Sequence, residues 1–177
     1  MSGVPDPAAL PRLASPQLLA DIATVIVATF LAELEADAGF VATLRPDGQT
    51  LDVARVTPYS DKPVHLAFPV DAPYPLAETI RTRQPLFIAS NDELCEHPGL
   101  IRVKSEDHAC ATLPLLDEDG ELLGALNLGY DEPHAFTSDE LELIDVLGRH
   151  CAQAMSVARH LQTEVARRTP YHPDGDD

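Results

Sequence analysis

Apolar positions between residues 16 and 36 recur at helical spacings and cover more than one side of the predicted helix. Ser15 can cap the free backbone N–H groups at its start, and Pro16 suits the first helical position, where a missing N–H costs nothing. A helix lying on a surface shows a single apolar stripe. We therefore expect this first helix to be sandwiched between a sheet and another helix.

Two pairs of β-rich runs flank Asp-Gly turns, which supply the positive φ angles of a tight turn. The first pair spans residues 39–45 and 51–57, and the second pair spans residues 109–116 and 121–130. Each pair predicts an antiparallel hairpin.

Alternation along the last run divides it into a bulky face and a small face. We expect the bulky face to pack on helices and the small face to leave space. The bulky face is predicted to hold Leu122, Gly124, Leu126 and Leu128, and the small face Leu123, Ala125, Asn127 and Gly129.

Four prolines surround a short amphipathic segment in FPVDAPYPLAETIRTRQPLFIAS, residues 68 to 90. The pattern predicts an extended piece at 64–70, a short helix at 74–83 and a short strand at 85–90. A further short helix follows, with Asn91 as its expected cap. Because proline fixes φ, we expect this segment to be rigid and to cover the part of the fold beneath it.

The strongest helix start in the chain is at Thr137, with Glu140 three residues later as a capping box and Phe136 and Leu141 as a hydrophobic staple. A helix of about 31 residues is roughly 46 Å long, against about 25 Å for an eight-residue strand. The helix should overhang the sheet and require a further partner.

Apolar residues of this helix alternate spacings of four and three, the pattern of a helix packed lengthwise on others. With the excess apolar surface of the first helix, they predict a homodimer formed by a helical bundle. The alternative is packing on the first helix of the same chain alone. The predicted dimerisation residues are Leu18, Ile22, Ile26, Leu147, Cys151, Ala154, Ala158, Leu161 and Val165.

Composition argues against several classes of partner. Twelve basic residues against 29 acidic ones give a formal charge of −17, which repels nucleic acid backbones and anionic membrane surfaces. Cys95, Cys110 and Cys151 form an odd set without paired spacing, which favours a reducing cytoplasm. The N-terminus lacks a secretory signal pattern, and the first helix is too short and too acidic to span a membrane.

The chain resembles the GAF domain family over about residues 15 to 165. The resemblance is carried by FPVDAPYPLAETIRTRQPLFIAS, ACATLPLLDEDGELLGALNLGY and PHAFTSDELELIDVLGRHCAQAM, in the family order. It implies an α+β fold of the GAF/PAS type, with a central antiparallel sheet. The N- and C-terminal helices are expected on one face, and short helices and loops forming a pocket on the other.

The implied organisation is one domain at 15–168, whose C-terminal helix at 137–168 extends as a connector. A disordered Pro-rich tail is expected at 1–14 and a flexible tail at 169–177. TPYHPDGDD, after Arg168, shows no ATP-binding, DNA-binding or cyclase sequence. Output is therefore expected from a partner, such as a histidine kinase, or from residues outside this sequence.

The resemblance places a small ligand between the short helix and the sheet. Asn127, a polar group among small neighbours, could orient a ligand by hydrogen bonding. The same residues could instead fill that side as core, with Asn127 bonded to backbone. The candidate lining residues are Phe68, Tyr74, Leu76, Ile80, Phe87, Leu100, Thr112 and Asn127.

Departures from family patterns argue against two ligands. Members that bind cyclic nucleotides carry an Asn-Lys pair, whereas Leu128 follows Asn127 here, and Phe136 precedes Asp139 by a shorter interval than theirs. Relatives that bind bilins attach them through Cys, often followed by His, but Glu96 separates Cys95 from His97.

Free methionine sulfoxide reductases share the fold and use cysteines at the cavity. The family positions fall near Tyr74-Pro75 and Glu106-Asp107 here, so Cys95 and Cys110 could at best replace them. A zinc set of Cys95, His97, His108 and Cys110 has irregular spacing, and no metal site is predicted. His150 lacks the sequence surroundings of a phospho-accepting histidine.

We therefore expect a non-catalytic regulatory domain that senses an unknown small molecule, dimerises, or does both. The alternative is a pure dimerisation or docking domain with a filled cavity, and a thiol enzyme is a minor alternative. No cofactor is identified.

Overall fold

The computed structural model describes residues 16–45, 47–57, 60–101 and 108–168. The predicted tails at 1–14 and 169–177 lie outside the described residues, as does Ser15. The helices are α1 (Pro16–Phe30), α2 (Pro75–Thr82), α3 (Asn91–Cys95) and α4 (Ser138–Arg168). The strands are β1 (Ala38–Leu44), β2 (Thr50–Thr57), β3 (Ser60–Pro69), β4 (Leu86–Ile88), β5 (Ala109–Leu116) and β6 (Leu122–Tyr130).

The six strands form one sheet in the order β3-β2-β1-β6-β5-β4, and every neighbouring pair is antiparallel. Both predicted hairpins are present, as β1–β2 and β5–β6. The N- and C-terminal segments meet at the centre, because β1 pairs with β6. The predicted α+β class is confirmed.

The two faces of the sheet are covered differently. The helical face, as we call it, packs against α1 and α4 and holds a core that includes Val27, Leu126, Leu128 and Met155. The open face packs against α2 and holds a smaller core that includes Phe40, Leu76 and Ile80. The terminal helices therefore share one face, as expected.

Helix α1 approaches the sheet closely at Gly39. A Cβ atom added to Gly39 would lie 2.3 Å from Val27 Cγ1, a distance that side chains do not tolerate. A hydrogen atom at this position of β1 thus allows the helix to pack directly on the strand.

The first helix ends earlier than predicted, at Phe30, and turns follow it. The Ala36 N–H donates to Leu31 O at 3.0 Å, and Glu35 has a φ of 50°. A 6→1 hydrogen bond around a left-handed residue is how helices commonly terminate. Leu31 and Leu34 remain fully buried through this turn, which explains why their spacing looked helical.

The start of α4 confirms the predicted capping box. Thr137 Oγ1 accepts from the Glu140 N–H at 3.3 Å, and Glu140 Oε2 accepts from the Thr137 N–H at 3.0 Å. The cap of α3 was predicted one residue late: Ser90, rather than Asn91, accepts from the Glu93 N–H through its hydroxyl.

The predicted faces of β6 are correct from Gly124 onwards and wrong before it. Leu123 belongs to the core of the helical face, while Leu122 packs against the open face. The register shifts between Leu115 and Leu116, which pair with Gly124 and Leu122 respectively. One extra residue in β6 reverses the alternation, as a β-bulge does.

Candidate functional site

A small cavity lies on the open face, beneath the N-terminal end of α2 and beside α3. Its volume is about 40 Å³. Apolar side chains dominate its lining, and four groups that can hydrogen-bond contribute at its wall. The lining residues are Phe40, Leu66, Phe68, Pro75, Leu76, Ile88, Asn91, Leu94, His108, Ala109, Cys110 and Asn127.

Asn127 lies in the middle of β6, where the register pairs it with Phe40 of β1 and Thr112 of β5. The residue is only 9% exposed. No described residue hydrogen-bonds its side-chain amide. A buried amide without a protein partner can still bond water or a ligand in the cavity.

A second polar contact joins α3 to the start of β5. Asn91 Nδ2 lies 2.7 Å from His108 Nδ1. Since the amide NH₂ can only donate, Nδ1 is the acceptor in this contact. Asn91 Oδ1 is buried without a hydrogen-bond partner, so this pair leaves one acceptor for a donor group.

Helix α2 is fastened at both ends. Pro75 occupies its first turn, and Arg83 ends it in a left-handed conformation with a φ of 57°. Arg81 Nη1 donates to Val70 O at 2.6 Å and to Ala72 O at 3.1 Å. The arginine thereby holds the turn that leads from β3 into the helix.

A buried hydroxyl pair fastens α2 to the sheet. Thr112 Oγ1 donates to Leu86 O at 3.1 Å, so Thr79 must donate in its 2.6 Å contact with Thr112 Oγ1. Both threonines are completely buried. Thr112, predicted as a ligand contact, therefore uses its hydroxyl within the protein.

The other predicted lining residues are brought together only in part. Phe68, Leu76 and Asn127 line the cavity. Tyr74 packs edge-on against Phe68, with ring centroids 5.0 Å apart, and Ile80 is buried in the open-face core. These two residues support the wall of the cavity without lining it.

Phe87 and Leu100 lie away from this cavity. Phe87 packs against the core of the helical face, 5.6 Å from Phe136 between ring centroids. Its neighbours Leu86 and Ile88 take the opposite side of the three-residue strand, as alternation requires. Leu100 lines a separate surface groove together with Arg81 and His97.

Several lining residues were not predicted, among them Phe40, Leu66, Ile88, Asn91 and His108. The pairing of β1 with β6 places Phe40 beside Asn127. The two residues are 87 positions apart in the sequence. The alternation of side chains along β1 and along β6 is the only sequence signal that places each of them on the open face.

The three cysteines, all within the described residues, lie in different surroundings and form no disulfide with one another. Cys95 is exposed at the end of α3, Cys110 is half-buried at the cavity, and Cys151 is buried beneath α1. Burial raises the pKa of the Cys151 thiol to about 12. Within the described part of the chain, no three His, Cys, Asp or Glu side chains are arranged to hold a metal ion.

The predicted dimerisation residues divide into buried and accessible groups. Leu147, Cys151 and Ala158 are buried within the protomer, in the core shared with α1 and the sheet. This part of the seam is therefore intramolecular, which corrects its assignment to a dimer surface. Ile22, Ile26 and Ala154 are half-buried, and Leu161 is 62% exposed.

The predicted dimerisation residues Leu18 and Val165 have side chains that the structure does not describe. Two valines that were not predicted extend the accessible apolar surface, since Val25 is 70% exposed and Val157 is 55% exposed. Val157 and Leu161 are four residues apart and share one side of α4.

The GAF domain model matches residues 17–156. The chain belongs to the GAF domain family. No curated protein sequence matches it significantly. GAF domains are in general regulatory or sensory, and some proteins with this fold are enzymes.

Solved structures share this GAF fold at low sequence identity. The GAF domain from Acinetobacter phosphoenolpyruvate-protein phosphotransferase is 11% identical with a TM-score of 0.65, covering 87% of this chain and 94% of that one. The GAF-B domain of DevS from Mycobacterium smegmatis is 19% identical with a TM-score of 0.62, and the match covers 85% of this chain and 99% of that one. The type II free methionine-R-sulfoxide reductase from Thermoplasma acidophilum is 14% identical with a TM-score of 0.57, covering 78% and 96%.

Among the described helices of this GAF domain, none combines the length and apolar character needed to cross a bilayer.

Proposed function

We propose that this GAF domain is a non-catalytic regulatory module that senses a small molecule in the cavity under α2. The observation that carries the proposal is the Asn127 amide, which no described residue hydrogen-bonds, in a cavity lined mostly by apolar side chains. Ligand sites are typically apolar concavities with a few polar groups that fix orientation. Asn91 Oδ1, also without a partner, adds an acceptor at the cavity.

On this proposal, the cavity widens when a ligand enters. A volume of about 40 Å³ holds about three water molecules, whereas ligand pockets usually span about 300–1,000 Å³. A ligand must therefore displace α2 or the cavity side chains. Such displacement gives binding a mechanical consequence, which a sensor requires.

The α4 helix supplies a route for output in this proposal. Its buried side packs on α1 and the sheet, while Val157 and Leu161 remain exposed on another side. We propose that these side chains, with Val25 of α1, contact a second copy in a cytoplasmic signalling assembly. A histidine kinase is one class of protein that could receive the output.

The small volume also favours a second candidate, a dimerisation or docking domain whose cavity is filled. On this alternative Asn127 bonds trapped water and no metabolite enters. The two candidates differ in ligand dependence, since a ligand at 100 times its dissociation constant stabilises the folded state by about 2.7 kcal/mol.

An enzymatic role receives less support from the cysteine positions. Reduction of a sulfoxide by thiols needs an attacking thiolate and a second thiol that resolves the intermediate. Of the described cysteines, Cys110 alone lines the cavity, and Cys151 is buried in the opposite core.

Native mass spectrometry tests the sensing proposal directly. Protein freshly purified from cells is compared with its denatured mass, for the wild type, Cys110→Met and Cys95→Met. Cys110→Met fills the cavity, while Cys95→Met adds the same side chain at an exposed site. We expect an added small-molecule mass on the wild type and on Cys95→Met, and its loss from Cys110→Met.

An added mass that survives Cys110→Met would place the ligand elsewhere. A wild-type protein that carries no added mass and gains no thermal stability from a metabolite and nucleotide panel would favour the docking domain.

The oligomeric part of the proposal has its own test. Light scattering should show a wild-type dimer, and Val157→Glu should dissociate it because a charge would be buried at the interface. Gln84→Glu, at an exposed position between α2 and β4, adds a charge away from both terminal helices and should remain dimeric. A monomeric wild type would rule out self-association.

A further inference from the structure

Arg55 of β2 lies on the open face without an anionic partner among the described residues. Its Nε is buried and has no hydrogen-bond partner. Its guanidinium carbon lies 5.6 Å from the centroid of the Phe40 ring. The other basic residues of the first hairpin and of α2 behave differently: Arg45 is ion-paired with Asp52, and Arg81 with Glu78.

A partly buried guanidinium that faces an aromatic ring and no carboxylate is unusual, because a buried donor normally has a hydrogen-bond partner. The lack of an acidic partner for Arg55 among the described residues is more notable because the chain has 29 acidic residues. Each unsatisfied buried polar group in a native structure calls for an explanation, such as a bound water, an ion or a functional role.

The sheet register connects Arg55 to the cavity. Arg55 is directly opposite Phe40, and Phe40 is directly opposite Asn127. These three residues form one row across adjacent strands, and neighbouring strands are about 4.8 Å apart. Phe40 lines the cavity, so its ring separates the cavity from the guanidinium.

We propose that the cavity takes a small organic anion, whose carboxylate binds Arg55 when the Phe40 ring turns aside. The apolar body of the ligand then occupies the space among Leu66, Phe68 and Leu76, and the Asn127 amide bonds its polar group. Rotation of the ring enlarges the site and exchanges a cation–π contact for a charge-assisted pair. Nε–H and one Nη–H of a guanidinium match the two oxygens of a carboxylate.

A carboxylate fits this site better than a phosphate does. A phosphate dianion needs several cationic or N–H donors to compensate its desolvation. The described lining of the cavity is mainly apolar, and its polar side chains are two amides, one imidazole and one thiol, so Arg55 behind Phe40 would supply the only cation among these described groups. A monocarboxylate with a short apolar body is thus the class of ligand that these groups accommodate.

The inference rests on the proposed sensing role and deepens it by naming the ligand class. It is tested on the whole chain by nuclear magnetic resonance, which observes the Arg55 Nε–H group directly. The probes are acetate, propionate and benzoate, each paired with its neutral amide at the same ionic strength. Thermal stability is measured in the same solutions.

We expect at least one acid to shift the Arg55 Nε–H resonance saturably and to raise the melting temperature, while its amide does neither. Arg55→Gln should weaken binding of that acid at least tenfold, and Arg55→Lys should weaken it less. Arg45→Gln, at an exposed ion-paired position of the same hairpin, should bind it as the wild type does.

Equal responses to acids and amides would overturn anion recognition. Anion recognition would also be overturned if no acid shifted the Arg55 Nε–H resonance. That measurement uses only the wild-type protein, so it does not depend on a variant that folds. A cell-derived ligand retained equally by wild type and Arg55→Gln would contradict the anion class while leaving the sensing role intact. If acids bind at Arg55 but no cell-derived ligand is found, the sensing proposal fails separately.

Discussion

The two faces of the sheet are built from the same strands but serve different ends. The described core of the helical face contains 21 buried residues, against ten on the open face. The larger core closes tightly, with Gly39 needed for the approach of α1. The smaller core leaves a cavity bordered by Asn127 and by the unsatisfied Asn91 Oδ1, with the unsatisfied Arg55 Nε nearby. The larger core contains a buried hydroxyl without a hydrogen-bond partner among the described residues, that of Tyr130. Stability is expected to reside mainly on the helical face, and on the proposed function the open face is the one that binds a ligand.

The largest contrast is expected from the same truncation on each face. Leu126 is fully buried on the helical face, and Leu76 is 4% exposed beside the cavity. Leu126→Ala should lower the free energy of unfolding by about 4 kcal/mol and Leu76→Ala by about 2 kcal/mol, because Leu76 already lacks contacts on one side. Urea denaturation measures both. Equal losses would remove the energetic distinction between the faces.

Alkaline pH should weaken the helical face selectively. Burial raises the pKa of Cys151 to about 12 from its ordinary 9.0, so the native thiol stays neutral where the unfolded thiol ionises. Burial also raises the pKa of Tyr130, with the charges of Glu140 and Asp37 adding to the effect. The stability from both groups is complete below pH 9 and is lost as the pH rises toward 12.

For Cys151 alone, the loss at about pH 10.5 should be about 2 kcal/mol. Unfolding free energies at pH 8 and 10.5 should therefore differ less in Cys151→Ala than in the wild type. Cys110→Ala is the control, and an equal pH response in both variants would contradict the assignment to Cys151.

The smallest contrast in stability is expected when a larger side chain is introduced at two adjacent positions of β5, one on each face of the sheet. Ala111 is fully buried on the helical face, and Cys110 borders the cavity. Ala111→Met should destabilise the protein by about 1–2 kcal/mol more than Cys110→Met, because overpacking costs most where no space exists. Chemical denaturation of both variants provides the measurement, and a larger loss at Cys110 would reverse the comparison.

The sequence predicted the elements better than it predicted the site. Hairpins and helix starts follow from local chemistry, as with Asp-Gly turns and the Thr137–Glu140 box. The site depends on which strands become neighbours. Phe40, Arg55 and Asn127 meet through pairings between distant segments, and a single bulge moved Leu122 and Leu123 to the opposite faces.

Part of the predicted helical seam is packed within the chain for a related reason. Leu147, Cys151 and Ala158 have the spacing of a bundle interface, but the same spacing serves packing within a chain. Periodicity identifies which side of a helix is buried, and it does not identify what covers that side.

The central claim is that α2 on the open face opens locally while the helical face stays folded. Native-state hydrogen exchange tests this claim most directly. Amides of α2, such as those of Glu78 and Arg83, should exchange through a local opening of low free energy with little urea dependence. Amides of β6 and α4 near Leu126 and Leu147 should exchange by global unfolding. If α2 exchanges with the same free energy and urea dependence as β6, the cavity has no separate opening and the account is wrong.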